Sequence, residues 1–214
     1  MATKPVLYSY FRSSASWRVR IALSLKKIDY DYKPVHLVKD GGFQNTEEYR
    51  EINPMRQVPS LVIDGHTLTQ SIPIIEYLDE TVADGPDLLP KDPVLRAKAR
   101  ALAETINSGI QPIQNLSVLN KIGETKVEWA KYWIERGFDN LEKMLEKTAG
   151  KYSVGDVVTI ADLCLVPQIY NAERFKVPTS NYPNIARIGE NLEKLPEFQA
   201  AHPSQQPDCP EELR

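Results

Sequence analysis

The sequence predicts a mixed α/β domain followed by an all-helical one, on three observations. Residues 1–83 alternate a strand pattern, a helix pattern and a second strand pattern, then a short helix-like stretch, a hairpin and another helix. Asp84-Gly85-Pro86-Asp87 and Leu89-Pro90-Lys91-Asp92-Pro93 then crowd turn residues into a joint over 84–92. From 93 to 214 strand patterns vanish and helical periodicity takes over.

The first strand is Val6-Leu7-Tyr8-Ser9-Tyr10. The helix behind it opens at Ser13-Ser14-Ala15-Ser16 and stacks Trp17, Ile21 and Leu25 at i, i+4 and i+8. It ends near Lys26 and Lys27, which suit its negative terminus. A second strand is expected over Asp31–Leu37, and a short helix over Thr46–Ile52, stopped by Asn53-Pro54. Ser60-Leu61-Val62-Ile63 and His66-Thr67-Leu68 flank Asp64-Gly65, a strong hairpin signal. A third helix is expected over Ser71–Glu80, with Ser71 as its N-cap and Pro73 tolerated in its first turn. This βαβ then ββα order is that of a thioredoxin-like domain. Past the joint, helices are expected over Val94–Lys121, Thr125–Thr148, Thr159–Asn171 and Ile185–Leu195. Pro112 should kink or divide the first of them, because it removes a donor and crowds the preceding turn. Thr159 and Asp162 form a capping box, with Val158 stapling onto Leu163.

Composition narrows the function. The 214 residues are 42% hydrophobic and 26% charged with a formal net charge of −3, which leaves no basic footprint for nucleic acid. No apolar run approaches the roughly 18–20 residues that span a bilayer. Met1-Ala2-Thr3-Lys4-Pro5 leads straight into the first strand, so a soluble cytoplasmic chain is expected. The two cysteines, Cys164 in an apolar run and Cys209 in a polar tail, suit a reducing compartment without disulfides. His36, His66 and His202 are scattered, and no metal site is expected.

The chemistry concentrates at the serines. Hydroxyls at a helix N-terminus sit beside free N–H groups and the positive end of the helix dipole, a place that favours an anion. No cysteine occurs there, so a bound thiolate must come from a ligand. Each candidate also has a plainer reading. Ser13 and Ser14 would cap their helix in any case; Gln70-Ser71 opens the third helix and suits either a cap or a ligand carboxylate. Gln44 lies on a polar loop where solvation suffices. Gln111 and Asn115, read as i and i+4 on one helix face beside Pro112, either satisfy backbone groups freed there or line a cleft. Arg174 near a helix C-terminus is favourable without any function, or clamps a carboxylate.

The segment from Tyr8 to Leu23, Tyr8-Ser9-Tyr10-Phe11-Arg12-Ser13-Ser14-Ala15-Ser16-Trp17-Arg18-Val19-Arg20-Ile21-Ala22-Leu23, resembles the signature of one family: the cytosolic glutathione transferases, in their zeta class, the maleylacetoacetate isomerases. The resemblance continues through Asn53-Pro54, Gln57-Val58-Pro59, Gln70-Ser71, Gln111-Pro112 with Gln114-Asn115-Leu116-Ser117, Asn171-Ala172-Glu173-Arg174-Phe175 and the tail Gln206-Pro207-Asp208. It implies a homodimer that uses glutathione to convert maleylacetoacetate to fumarylacetoacetate in tyrosine and phenylalanine breakdown, with transferase activity on α-haloacids and other electrophiles. Thiolate addition to the cis double bond, rotation and elimination would regenerate glutathione. The resemblance makes Ser14, assisted by Ser13, the thiolate donor. It places Ser13, Ser14, Ala15, Ser16, Trp17, Arg18, Gln44, Val58, Pro59, Gln70, Ser71, Gln111, Asn115, Leu116 and Ser117 about glutathione, Val58-Pro59 being a cis corner, and Arg174 on the substrate's carboxylate.

One departure is informative: the family motif reads Ser-Ser-Cys-Ser where this chain has Ala15, which removes covalent chemistry at that position and leaves both hydroxyls. Other readings stay open from sequence alone. A detoxifying transferase with little isomerase activity is one; a non-catalytic module of the same fold is another, against which the retained serines, Val58-Pro59 and Gln70-Ser71 argue. A thiol-disulfide oxidoreductase does not fit the pattern, because the redox C-x-x-C position reads Ser13-x-x-Ser16.

Overall fold

The computed structural model describes residues 4–214. Among these, the first elements are β1 (Val6–Ser9), α1 (Ser14–Leu25), β2 (Asp31–Pro34), α2 (Glu47–Ile52), β3 (Ser60–Ile63), β4 (His66–Thr69) and α3 (Ser71–Thr81). The sheet runs β2-β1-β3-β4, with β1 parallel to β2 and antiparallel to β3, and β3 antiparallel to β4. This is the expected thioredoxin-like order. β2 is shorter than the sequence suggests, ending at Pro34, which has no N–H to extend a ladder. The β3–β4 turn puts both Asp64 (φ 51°) and Gly65 (φ 77°) in the left-handed region, the geometry that Asp-Gly selects.

The α1 helix turns Trp17, Ile21 and Leu25 inward as its periodicity dictates. It also buries cations. Lys26, its C-cap, pairs with Asp79 of α3 at 2.8 Å and donates to the Val82 carbonyl at 3.3 Å. Asp79 is largely buried as well, so α1 and α3 are tied by a desolvated pair that cannot lose one member cheaply.

The second unit, Asp87–Leu195, is helical: α4 (Pro93–Asn107), α5 (Leu116–Ile122), α6 (Lys126–Leu145), α7 (Ile160–Arg174) and α8 (Pro183–Glu193). Asp92 caps α4 by accepting the Leu95 N–H at 2.8 Å, with Pro93 at the first helical position. The long helix expected over Val94–Lys121 is divided. It ends at Asn107, and after Gly109 the chain makes a 3-10 turn, Pro112–Gln114, before α5 begins. The capping box of α7 is present: the Asp162 carboxylate accepts the Thr159 N–H at 2.7 Å and hydroxyl at 3.1 Å, and the Ser153 N–H at 2.9 Å. Burial pushes this carboxyl up while those hydrogen bonds hold it down.

After α8 come α9 (Pro196–Ala200) and a tail of short 3-10 turns. Here the structure departs from the expected division. Residues 196–214, assigned from sequence to the helical domain, group with the first unit, which comprises the chain up to Pro86 together with Pro196–Arg214. The cause is polar. Arg20, buried in α1, donates from Nε to the Ala201 carbonyl at 3.1 Å, and Asp208 accepts from the Phe11 N–H and the Tyr32 hydroxyl. Cys209, which the sequence places in a polar tail, is buried among Tyr10, Phe11, Val35, Tyr49 and Val58.

Asp162→Ala should cost about 2–4 kcal/mol in chemical denaturation, because it leaves buried N–H groups of Ser153 and Thr159 without acceptors.

Candidate functional site

The site of the first unit is built where β1 ends. The chain leaves Ser9, turns through Tyr10–Ser13, and enters α1 at Ser14. The turn is closed by the Ser13 N–H donating to the Tyr10 carbonyl at 2.9 Å. Ser13 is the N-cap: its Oγ accepts the Ser16 N–H at 3.2 Å and its carbonyl accepts the Trp17 N–H at 2.9 Å. The N–H groups of Ser14 and Ala15 have no intrahelical acceptor. The Ser14 hydroxyl makes no hydrogen bond among the described residues, although the residue is only 8% exposed. The two adjacent serines, equivalent in sequence, are thus separated by geometry: one oxygen is engaged in capping and the other is not. Ser16 Oγ is fully buried without a partner. Ala15 is half-buried on the same turn.

The start of α3 is joined to this turn. Arg18, buried in α1, donates from Nη1 to Ser71 Oγ at 3.1 Å. Ser71 is the first residue of α3 rather than its N-cap, which corrects the sequence expectation; its oxygen serves Arg18 instead of its own helix. Gln70 holds the cap position without a side-chain cap, at φ 69°, ψ 129°. A non-glycine residue in that region carries a strain of about 1–3 kcal/mol. Such strain is found where a backbone must approach a ligand or a neighbouring chain closely.

The Val58-Pro59 bond is cis, as the resemblance implies, and no hydrogen bond to the Val58 N–H or C=O is formed among the described residues. A polar network fixes the approach to this corner. Tyr49 of α2 donates its hydroxyl to the Gln57 carbonyl at 2.7 Å, and Asn53 Nδ2 donates to the same oxygen at 2.8 Å. Burial pushes the Tyr49 phenol up to about 12, so it stays a donor at any working pH. Gln44 is not a solvated loop residue: its Nε2 donates to the Leu37 carbonyl at 3.0 Å, and its Oε1 is buried with no acceptor role filled.

In the second unit, Gln111 and Asn115 do not share a helix face. Gln111 precedes the 3-10 turn and Asn115 caps α5, its Oδ1 accepting the Ser117 N–H at 3.2 Å, because Pro112 and the turn residues before it break the helix between them. Leu116 is half-buried and Ser117 exposed at the start of α5. Gln114, between Gln111 and Asn115, is buried and donates from Nε2 to Gln168 Oε1 of α7 at 2.7 Å. Arg174 is the last residue of α7 and lies exposed with its guanidinium 5.3 Å from the Phe175 ring centre.

Sequence reasoning missed Arg20, Asp208, Tyr49 and Gln168. For Arg20 and Gln168 the available signal was a charged or amide side chain at a position whose helical period is otherwise apolar; for Asp208 and Tyr49 there was no local signal.

This geometry fits a glutathione-like ligand: free N–H groups and a spare hydroxyl for an anion, an unpaired backbone at a cis corner, and a second helix start beside them. Known proteins agree. The glutathione S-transferase N-terminal domain pattern matches residues 12–81 and the C-terminal domain pattern residues 117–201. The chain belongs to the glutathione S-transferase family, in its zeta class. It is 59% identical to the maleylacetoacetate isomerase of Mus musculus over 214 residues, covering 100% of this chain and 99% of that one. It is 58% identical over 215 residues to a probable maleylacetoacetate isomerase 1 of Drosophila melanogaster, covering 100% of this chain and 87% of that one. A maleylacetoacetate isomerase from Anaeromyxobacter dehalogenans, solved with glutathione in its active site, superposes with a TM-score of 0.87 at 46% identity, over 97% of this chain and 98% of that one.

Gln70→Val should destabilise the protein by about 1–3 kcal/mol, since a β-branched residue tolerates positive φ worst, whereas Gln70→Gly should leave the denaturation midpoint close to wild type.

Proposed function

We propose that the chain is an enzyme that isomerises maleylacetoacetate to fumarylacetoacetate with glutathione as cofactor, the turn of α1 holding the glutathione sulfur as a thiolate. The observation that carries this reading is the unengaged Ser14 hydroxyl beside two free helix N–H groups. Glutathione, when bound, supplies a thiolate whose reversible addition to the conjugated cis double bond lets that bond rotate.

The chain's own residues do the rest. A free thiol has a pKa near ~8.5, so holding it ionised at neutral pH takes a shift of about two units, roughly 2.7 kcal/mol of preference for the anion. A donated hydroxyl bond and the positive end of a helix together supply energies of that order. Ser14 donates to the sulfur, and Ser13 keeps the first turn wound. Ala15 contributes a backbone N–H and no chemistry of its own, while Ser16, Trp17 and Arg18 continue the same turn. Val58, ahead of Pro59, pairs its free N–H and C=O with the ligand's cysteinyl backbone. Ser71 retains its proton after accepting from Arg18, and with Gln70 it binds the γ-glutamyl carboxylate. Gln44 offers its buried Oε1 to a ligand donor. The Arg174 guanidinium takes a carboxylate of the substrate, a geometry that a planar fork suits. We also propose a cytoplasmic homodimer, closed two-fold dimers being the commonest assembly.

Proton NMR of maleylacetoacetate with catalytic glutathione should show fumarylacetoacetate at well above the enzyme-free rate; an unaccelerated reaction would reject the reading. Ser14→Ala should lower turnover by about a hundredfold with stability unchanged. By contrast, Ser13→Ala should cost about 1 kcal/mol of stability through the lost cap. Light scattering should give a mass well above the 24.3 kDa of one chain.

A further inference from the structure

The turn between β1 and α1 is held from the far end of the sequence. Asp208, in the tail, uses both carboxylate oxygens on the first unit: Oδ2 accepts the Phe11 N–H at 2.9 Å and Oδ1 accepts the Tyr32 hydroxyl of β2 at 2.7 Å. Phe11 and Arg12 lie between Tyr10, whose carbonyl accepts the Ser13 N–H, and the serines themselves. On the opposite side of the same peptide units, Arg20 Nη2 donates to the Phe11 carbonyl at 2.9 Å and Nη1 donates to Ser9 Oγ at 3.2 Å and the Tyr10 carbonyl at 3.4 Å. The segment is therefore gripped through its N–H by an anion and through its carbonyls by a cation. The neighbouring Cys209 belongs to the same buried apolar cluster as Tyr10 and Phe11.

The charged and titratable groups about Asp208 include Arg20 of α1, Tyr32 of β2, Tyr30, and, in the tail itself, Cys209, Glu212 and Arg214. Arg20 is buried with only neutral acceptors in hydrogen-bonding contact, and burial lowers its proton affinity to about 10, opposed by Tyr32, Tyr30 and Asp208.

We propose that Asp208 is a positioning residue for the glutathione site: by fixing Phe11 it holds Tyr10–Ser14 in the geometry that aims the Ser14 hydroxyl and the first N–H groups of α1 at the ligand sulfur. This rests on the glutathione reading above. It gives the tail a task in the chemistry of a turn some 190 residues earlier, the Phe11–Asp208 bond spanning 197 positions. Asp208 touches neither substrate nor sulfur in this scheme; it acts through the backbone.

The test uses the full chain with Asp208→Ala, Asp208→Asn and Tyr32→Phe. Backbone hydrogen exchange is read at Phe11, Ser13 and Ser16, and affinity for glutathione is compared with that for S-methylglutathione, which has no thiol to ionise. Asp208→Ala should speed exchange at those three amides by about tenfold or more while α6 and α7 keep their protection. The preference for glutathione over its S-methyl derivative should fall by about three- to tenfold, equivalent to a rise of half to one unit in thiol pKa. Asp208→Asn keeps an acceptor oxygen for Phe11 and should lie between wild type and Ala. Tyr32→Phe, losing one bond, should do the same, so a failure of Asp208→Ala to fold leaves two informative variants. Exchange unchanged at the turn, or raised evenly throughout the first unit, overturns the proposal. So does an unchanged ligand preference where the wild-type protein has one. If the wild-type protein binds both ligands equally, the thiolate reading is what fails, and the exchange pattern alone decides the role of Asp208.

Discussion

The organisation of this protein depends on one small constraint, that the first turn of α1 must present donors outward while remaining wound. Helix starts ordinarily consume their hydroxyls in capping. Here two consecutive serines divide the work: Ser13 accepts the Ser16 N–H, and Ser14 keeps a hydroxyl that no described group engages. A favourable place for an anion results from backbone geometry and dipole. That arrangement tolerates alanine at position 15, because the turn's contribution there is a backbone N–H that does not depend on the side chain.

The surroundings of the turn are correspondingly rigid. Arg18 links it to the start of α3 through Ser71, Lys26 and Asp79 lock the other ends of α1 and α3 together, and Tyr49 with Asn53 fixes the carbonyl of Gln57 ahead of the cis corner. These buried polar contacts fix the geometry around the turn. The strained cap at Gln70 is the exception. Its positive φ lies at the element that faces the γ-glutamyl carboxylate in the proposed reaction, where local strain and binding coincide.

Much of this was legible in the sequence because the signals were local. Asp64-Gly65 specified its turn, Thr159 and Asp162 their capping box, and the period of Trp17, Ile21 and Leu25 the buried face of α1. What escaped were features settled by distant partners. The tail reads as polar, yet Asp208 and Cys209 are drawn onto the first unit by Phe11, Tyr32 and an aromatic cluster that sequence spacing does not relate to them. Ser71 looks like a cap, but Arg18 claims its oxygen from 53 residues away. Gln111 and Asn115 share a face only if the helix runs through Pro112, which the sequence already marks as a kink or division, and the chain takes a 3-10 turn there. Resemblance named both of these residues without indicating that a bend lies between them.

The most direct measurement is a titration of the thiol of glutathione bound to the wild-type protein, followed by the ultraviolet absorbance of the thiolate. A turn that works as described should ionise the sulfur well below the ~8.5 of an ordinary thiol, so that the anion predominates at neutral pH. A bound thiol that ionises at the same pH as in plain buffer would contradict the account.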